Sequence, residues 1–132
     1  MVKLARDKFY VLDGAMGTEI QKKNLPESDF FYKETNCEGF NDVLCLTKPS
    51  VIFDIHSSYI DAGSNIIETN SFNANYISAL DYGLENSVID KINFESARIA
   101  KKATYRYPNK EILVAGVLGP TSKTLSMSPK VN

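Results

Sequence analysis

Ala62-Gly63-Ser64-Asn65-Ile66-Ile67-Glu68-Thr69-Asn70-Ser71 is the stretch that decides the fold class. Gly63 follows a helical run and is placed to end it in a left-handed conformation. The next residues read as a buried strand entered through a tight turn. Ile66, Glu68 and Asn70 share one face, and Ile67 and Thr69 the other. Upstream, Thr47-Lys48-Pro49 opens the helix: Thr47 or Lys48 can serve as N-cap, and Pro49 suits the first turn. Val51, Ile52, Ile55, Tyr59 and Ala62 fall on one helical face. A helix that runs through a glycine into a short apolar strand with a polar exit is one unit of a parallel α/β protein.

The same grammar recurs on both sides. Phe9-Tyr10-Val11-Leu12 is a short apolar run stopped by Asp13-Gly14, and it reads as a buried strand. Lys22 to Asn41 reads as an irregular connection. A short helix is expected over Tyr76 to Tyr82, stopping at Gly83. Ser87 with Asp90 resembles a weak capping box. The helix after it places Ile89, Ile92, Asn93, Ser96, Ile99, Ala100 and Ala103 at helical spacing, and Pro108 ends it. Ala97, Ala100 and Ala103 would let it lie close to a sheet. Ile112 to Leu118 is apolar throughout, as expected of a strand covered on both faces. Gly119-Pro120 breaks it, and the tail from Thr121 to Asn132 has no clear period.

The 132 residues fit one domain, and 43% hydrophobic with 23% charged residues is an ordinary globular profile. A net charge of −1 offers no field for nucleic acid or an anionic membrane. No apolar run approaches the roughly 20 residues that cross a bilayer, and no signal-type leader is present, so a cytoplasmic location is expected. Cys37 and Cys45 are too few for a disulfide scaffold and too far apart for a zinc knuckle. They read as ordinary reduced thiols. His56, the single histidine, reads as a partly exposed packing residue with no second ligand one turn on.

Polar residues gather after each strand, at Asp13-Gly14, Thr69-Asn70-Ser71 and Gly119-Pro120-Thr121. Ligand sites of parallel α/β proteins lie at those ends, so these are the candidate positions. Asp13 can accept hydrogen bonds from a ligand ammonium group, and Gly14 and Gly17 permit close backbone approach. Local chemistry alone equally describes a turn whose Asp caps the next segment, and favours it. Glu68 can be catalytic or can hold strand neighbours together, and the second role is favoured. Asn70 and Asn73 suit either a substrate or the loop backbone.

Several separated motifs together resemble the homocysteine S-methyltransferase family. They are Leu12 to Thr18, Asn41-Asp42 with Leu46 to Pro49, Ala62 to Phe72, and Ile92 to Arg98. Ala115-Gly116-Val117-Leu118-Gly119-Pro120-Thr121 and Ser126 to Asn132 are similar to the branch of that family that takes its methyl group from cobalamin, the cobalamin-dependent methionine synthases. The resemblance spans roughly Tyr10 to Asn132.

The resemblance implies a TIM (β/α)8 barrel, of which these residues would form about three βα units, and transfer of a methyl group to homocysteine to give methionine. The methyl would come from methylcobalamin and originally from methyltetrahydrofolate. S-methylmethionine or betaine is the alternative donor, and an inactive, self-associating fragment is the alternative of another class. Asp13 and Gly14 carry over as homocysteine contacts, and Thr69, Asn70 and Phe72 as pocket-lining positions. The family's zinc is held by three late cysteines that neither Cys37 nor Cys45 matches, so zinc and cobalamin are expected in the whole parent protein and neither on residues 1–132 alone. No catalytic residue is expected here. The expected partners are homocysteine, the rest of the barrel, the parent's folate and cobalamin domains and, for the chain alone, further copies of itself. A full barrel of about 250 residues would make this a partial domain without activity of its own.

Overall fold

The computed structural model describes residues 4, 7–121 and 123. The elements in chain order are helix α1 (Met16–Lys22), strands β1 (Phe31–Tyr32) and β2 (Thr35–Asn36), helices α2 (Leu44–Thr47) and α3 (Pro49–Ala62), strand β3 (Ile66–Glu68), helices α4 (Tyr76–Ala79) and α5 (Asn86–Thr104), and strand β4 (Leu113–Ala115). Single 3-10 turns precede β1 and α2 and follow α4.

The main sheet is parallel. β3 pairs with β4 through Ile66–Leu113, Ile67–Val114 and Glu68–Ala115. Leu12 bridges Ile66 on the opposite side of β3. Asp13 N–H donates to Ile66 O at 2.9 Å, and Asn65 N–H to Val11 O at 2.8 Å. The order across the sheet is therefore the Leu12 segment, β3, β4, which is also the chain order. One face of this sheet is covered by α3 and α5, which pack on each other. Ile67 on that face meets Ile60 of α3 and Ala100 and Ala103 of α5, all buried. Two further apolar clusters complete the core. One joins Ile20, Leu44, Cys45, Ile52, Ile55 and Ile99. The other joins Cys37, Phe40, Val43 and Ala79 to Val88, Ile89 and Ile92 of α5.

α3 forms as the sequence predicts. Pro49 occupies its first turn, Lys48 is the N-cap residue without a side-chain cap, and Gly63 ends it at φ 113°. Gly63 N–H donates to Ile60 O and Ser64 N–H to Tyr59 O, so the glycine-terminated end satisfies its last carbonyls. Its buried face differs from the expected one: Ile52, Ile55, His56, Ser57 and Ile60 are buried, while Ala62 is exposed. The stripe is rotated because α5 and β3 cover the His56–Ile60 side together. The expected helix over Tyr76 to Tyr82 is α4 and its 3-10 extension, closed by Gly83 at φ 65°. Asn75 caps it, its Oδ1 accepting from Ser78 N–H at 2.9 Å.

Five local expectations are corrected. Phe9 to Leu12 is not a buried strand: Phe9 is 96% exposed and Leu12 50%, because among the described residues only β3 flanks it. β4 is shorter than Ile112 to Leu118, its three residues are half-buried, and Leu118 is fully exposed, so it is covered on one face only. Ser87 and Asp90 form no capping box. Glu85 is the N-cap residue of α5, Ser87 Oγ donates to Glu85, and Asp90 accepts from the Tyr76 hydroxyl. Ala97 lies on the exposed side of α5, leaving Ala100 and Ala103 to meet the sheet, and the helix stops at Thr104, before Pro108. The Lys22 to Asn41 stretch holds a two-residue antiparallel ladder, β1 with β2, turning at Lys33 with φ 55°. Residues Ser126 to Asn132 lie outside the described residues.

Candidate functional site

The strand exits converge. An open cleft of about 460 Å³ is lined by Asp13 to Gly17, Asn41, Asp42, Glu68, Thr69, Asn70, Phe72, Asn73 and Val117. All five positions singled out in the sequence, Asp13, Gly14, Thr69, Asn70 and Phe72, stand on its wall. Parallel strands explain the convergence: their carboxyl ends lie on the same side of the sheet, so residues far apart in the chain meet there.

Asp13 sits where the Leu12 segment leaves the sheet. Its Oδ2 accepts from Glu68 N–H at 3.0 Å. Its Oδ1 is buried and has no partner. Burial pushes the carboxyl up to about 6, and the neighbouring Glu68 charge adds to the shift while the Glu68 amide opposes it. An acceptor atom left unpaired beside a cleft is suited to a ligand donor. Gly14 follows directly, and a Cβ there would stand 3.0 Å from the Tyr59 hydroxyl. The glycine thus lets the backbone pass beside α3, where Tyr59 donates to Ala15 O at 3.4 Å.

Thr69 and Asn70 are occupied by the protein itself. Thr69 Oγ1 accepts from Val117 N–H at 2.9 Å and lies 2.8 Å from Ser71 Oγ. These contacts tie the exit of β3 to the segment after β4. Asn70 Nδ2 donates to Asn41 O at 3.0 Å, and its backbone carbonyl accepts from Cys45 Sγ at 3.4 Å. Phe72 is 54% exposed and presents an apolar ring at the mouth. Glu68 is half-buried and lines the cleft. Asn73, weighed in the sequence, lines it too; Asn41, Asp42, Met16 and Val117 were not singled out as site residues. Asn41 and Asp42 carried a signal, since adjacent Asn and Asp before an apolar helix are poor core residues unless they bond something.

The two cysteines and the histidine do not build a metal centre. Cys37 and Cys45 are free and buried. Burial pushes the Cys45 thiol up to about 12 and raises the Cys37 thiol as well. Neither therefore offers a thiolate at neutral pH. Among the described residues no group of three His, Cys, Asp or Glu side chains converges on one point, so these residues do not fit a zinc held by three cysteines. His56 corrects its expectation: it is 0% exposed, not partly exposed, and neither ring nitrogen has a partner. Burial lowers its imidazole to about 4. No helix among the described residues is long and apolar enough to cross a membrane.

An α/β layer whose strand exits share a polar cleft, with Asp13 on its wall, is the arrangement in which parallel α/β proteins place their ligand sites. The sequence matches the homocysteine S-methyltransferase family over residues 10–132, and the chain belongs to that family. The fold matches part of the homocysteine methyltransferase fold. The metallated form of the Escherichia coli homocysteine methyltransferase MmuM superposes with a TM-score of 0.68 at 25% identity, over 86% of this chain and 39% of that one. Its oxidized form gives 0.70 at 25% identity, over 87% and 38%. The apo form, at 23% identity and a TM-score of 0.62, supports the fold alone. The chain thus spans under two-fifths of the length of these relatives.

Proposed function

We propose that this chain supplies the homocysteine-binding end of an enzyme that methylates homocysteine to methionine, and that its strands are the first βα units of a (β/α)8 barrel. The observation that carries the reading is Asp13: one oxygen is fixed by Glu68 N–H and the other is buried, unpaired and beside the cleft. An amino-acid ammonium group is the natural partner of such an oxygen. Gly14 contributes backbone to the cleft wall beside Asp13, packed on Tyr59 behind it, and Thr69, Asn70 and Phe72 shape the wall without reacting.

The reaction transfers the methyl group from its donor to the homocysteine sulfur. We read the donor as methylcobalamin, from the similarity of Ala115 to Thr121 to the cobalamin-dependent branch, with S-methylmethionine or betaine as the alternative. The sulfur-activating zinc of that branch would be held by residues other than these, and none of the side chains described here takes a step through it.

Calorimetric titration of the chain with L-homocysteine tests the ammonium reading. Asp13 must be ionised to pair with the ligand, and its carboxyl sits at about 6, so affinity is expected to rise as pH rises through 6 and then level off. Asp13→Asn should weaken binding by roughly tenfold or more and flatten that pH profile. Unchanged affinity in the variant would return Asp13 to the role of a turn residue.

A further inference from the structure

Asp42 is the most deeply buried carboxylate of the described chain, at 1% exposed, and none of the ion pairs among the described residues includes it. Its partners are backbone amides. Oδ1 accepts from Asn73 N–H at 2.8 Å. That bond, with the nearby amides of Asp42 and Ala74, opposes the burial that raises its carboxyl to about 6, while Ala74 N–H itself donates to Ser71 O at 3.2 Å. A buried charge held only by amides is costly unless those amides are worth holding.

The Asn73 amide belongs to the loop that leaves β3 and carries Phe72 and Asn73 to the cleft. Asp42 is not the only grip from its side. Asn41 O accepts from Asn70 Nδ2, and Cys45 Sγ donates to Asn70 O. The Asn41–Cys45 segment is itself anchored, because Val43 is buried in a cluster with α5, and Leu44 and Cys45 in one with both α3 and α5. On the far side, Gly119 approaches so closely that a Cβ there would stand 1.8 Å from Phe72 O. The loop is thus held between a segment rooted in the core and the segment after β4.

We propose that Asp42 is a positioning residue of the cleft: its buried carboxylate grips the backbone at Asn73 and so fixes where Phe72 and Asn73 stand against the ligand. It acts through the loop and touches no reacting atom. The proposal rests on the homocysteine reading for its ligand, while the grip itself does not.

Hydrogen exchange on the full chain, read amide by amide, separates the two. Asp42→Ala should speed exchange at Asn73 by roughly tenfold or more while leaving Ile99 and Ala100 in α5 protected. Asp42→Asn keeps one carbonyl acceptor and should retain most of the protection at Asn73. L-Homocysteine affinity should fall in the order wild type, Asp42→Asn, Asp42→Ala. Unchanged exchange at Asn73 in Asp42→Ala would overturn the grip. Equal loosening of α5 in Asp42→Asn would make Asp42 a general support of the core instead, and full affinity with a released loop would remove its role toward the ligand. If the unaltered chain binds no homocysteine, the functional reading fails and the ligand clause with it, while the exchange pattern still decides the grip.

Discussion

His56 places two ring nitrogens inside the protein with no hydrogen-bond partner on either. Each unsatisfied buried polar atom costs about 1–3 kcal/mol, so an apolar side chain of similar size should be tolerated there. His56→Leu is expected to match or exceed the wild type in stability at pH 7, by up to about 2 kcal/mol. The pH dependence has a definite sign. The folded imidazole titrates at about 4, below its ordinary 6.5, so the unfolded chain takes up the proton first. The contribution of His56 is therefore constant above pH 6.5 and turns against the fold as pH falls toward 4, by about 3 kcal/mol over that window. Asp13 and Asp42, raised to about 6, act in the opposite sense: their folded forms hold protons more tightly, and what they add at low pH is lost as pH rises through 6. Urea unfolding of wild type and His56→Leu across pH 4–7 isolates the histidine, because the two carboxylates are common to both. A gap between the two proteins that stays constant with pH would show that the imidazole is not buried in solution.

Which parts were legible in the sequence follows from what each signal depends on. α3 was readable because its start and stop are local, Pro49 at one end and Gly63 at the other. The stop gives a clean test. Gly63 stands at φ 113°, and a Cβ there meets nothing within 4 Å. Gly63→Ala therefore carries backbone strain without a clash, and should lower stability by about 1–2 kcal/mol in thermal or urea unfolding while leaving the cleft intact. A loss much larger than that would mean that the β3 entrance shifts with the helix end. The strand exits were equally readable, since a polar cluster after an apolar run is a sequence feature. By contrast, the ends and burial of Phe9 to Leu12 and of β4 depend on neighbours far along the chain, and the apolar pattern could not say how many faces are covered. The hairpin at Phe31 to Asn36 escaped because it is two residues a side and turns at a lysine, without the glycine or asparagine that signals a tight turn. The role of Asp42 was illegible for a different reason: its partners are backbone amides, and an amide looks the same in every residue.

At the scale of the whole molecule, the apolar surface is unevenly covered. α3 and α5 shield one face of the sheet, yet Phe9, Val11, Leu12, Phe72 and Leu118 are all at least half exposed, and among the described residues β4 presents an unpaired edge. Water-exposed apolar area is unfavourable by about 25 cal/mol per Å², and an open strand edge is a template for further pairing. The 132-residue chain on its own is therefore expected to self-associate, and light scattering over a range of concentrations should show a mass that grows with concentration. A monomer that unfolds cooperatively at micromolar concentration would mean that the chain shields this surface itself. The sheet's order has one more consequence. The Leu12 segment, β3 and β4 lie side by side in the sequence in which they are joined, so each strand closes onto the one a single βα unit earlier. Loop-closure entropy grows only with the logarithm of the loop length, so even these long βα connections cost little more to close than short ones would. As a chain leaves the ribosome amino terminus first, every strand of such a sheet meets an edge already made, and assembly keeps pace with synthesis.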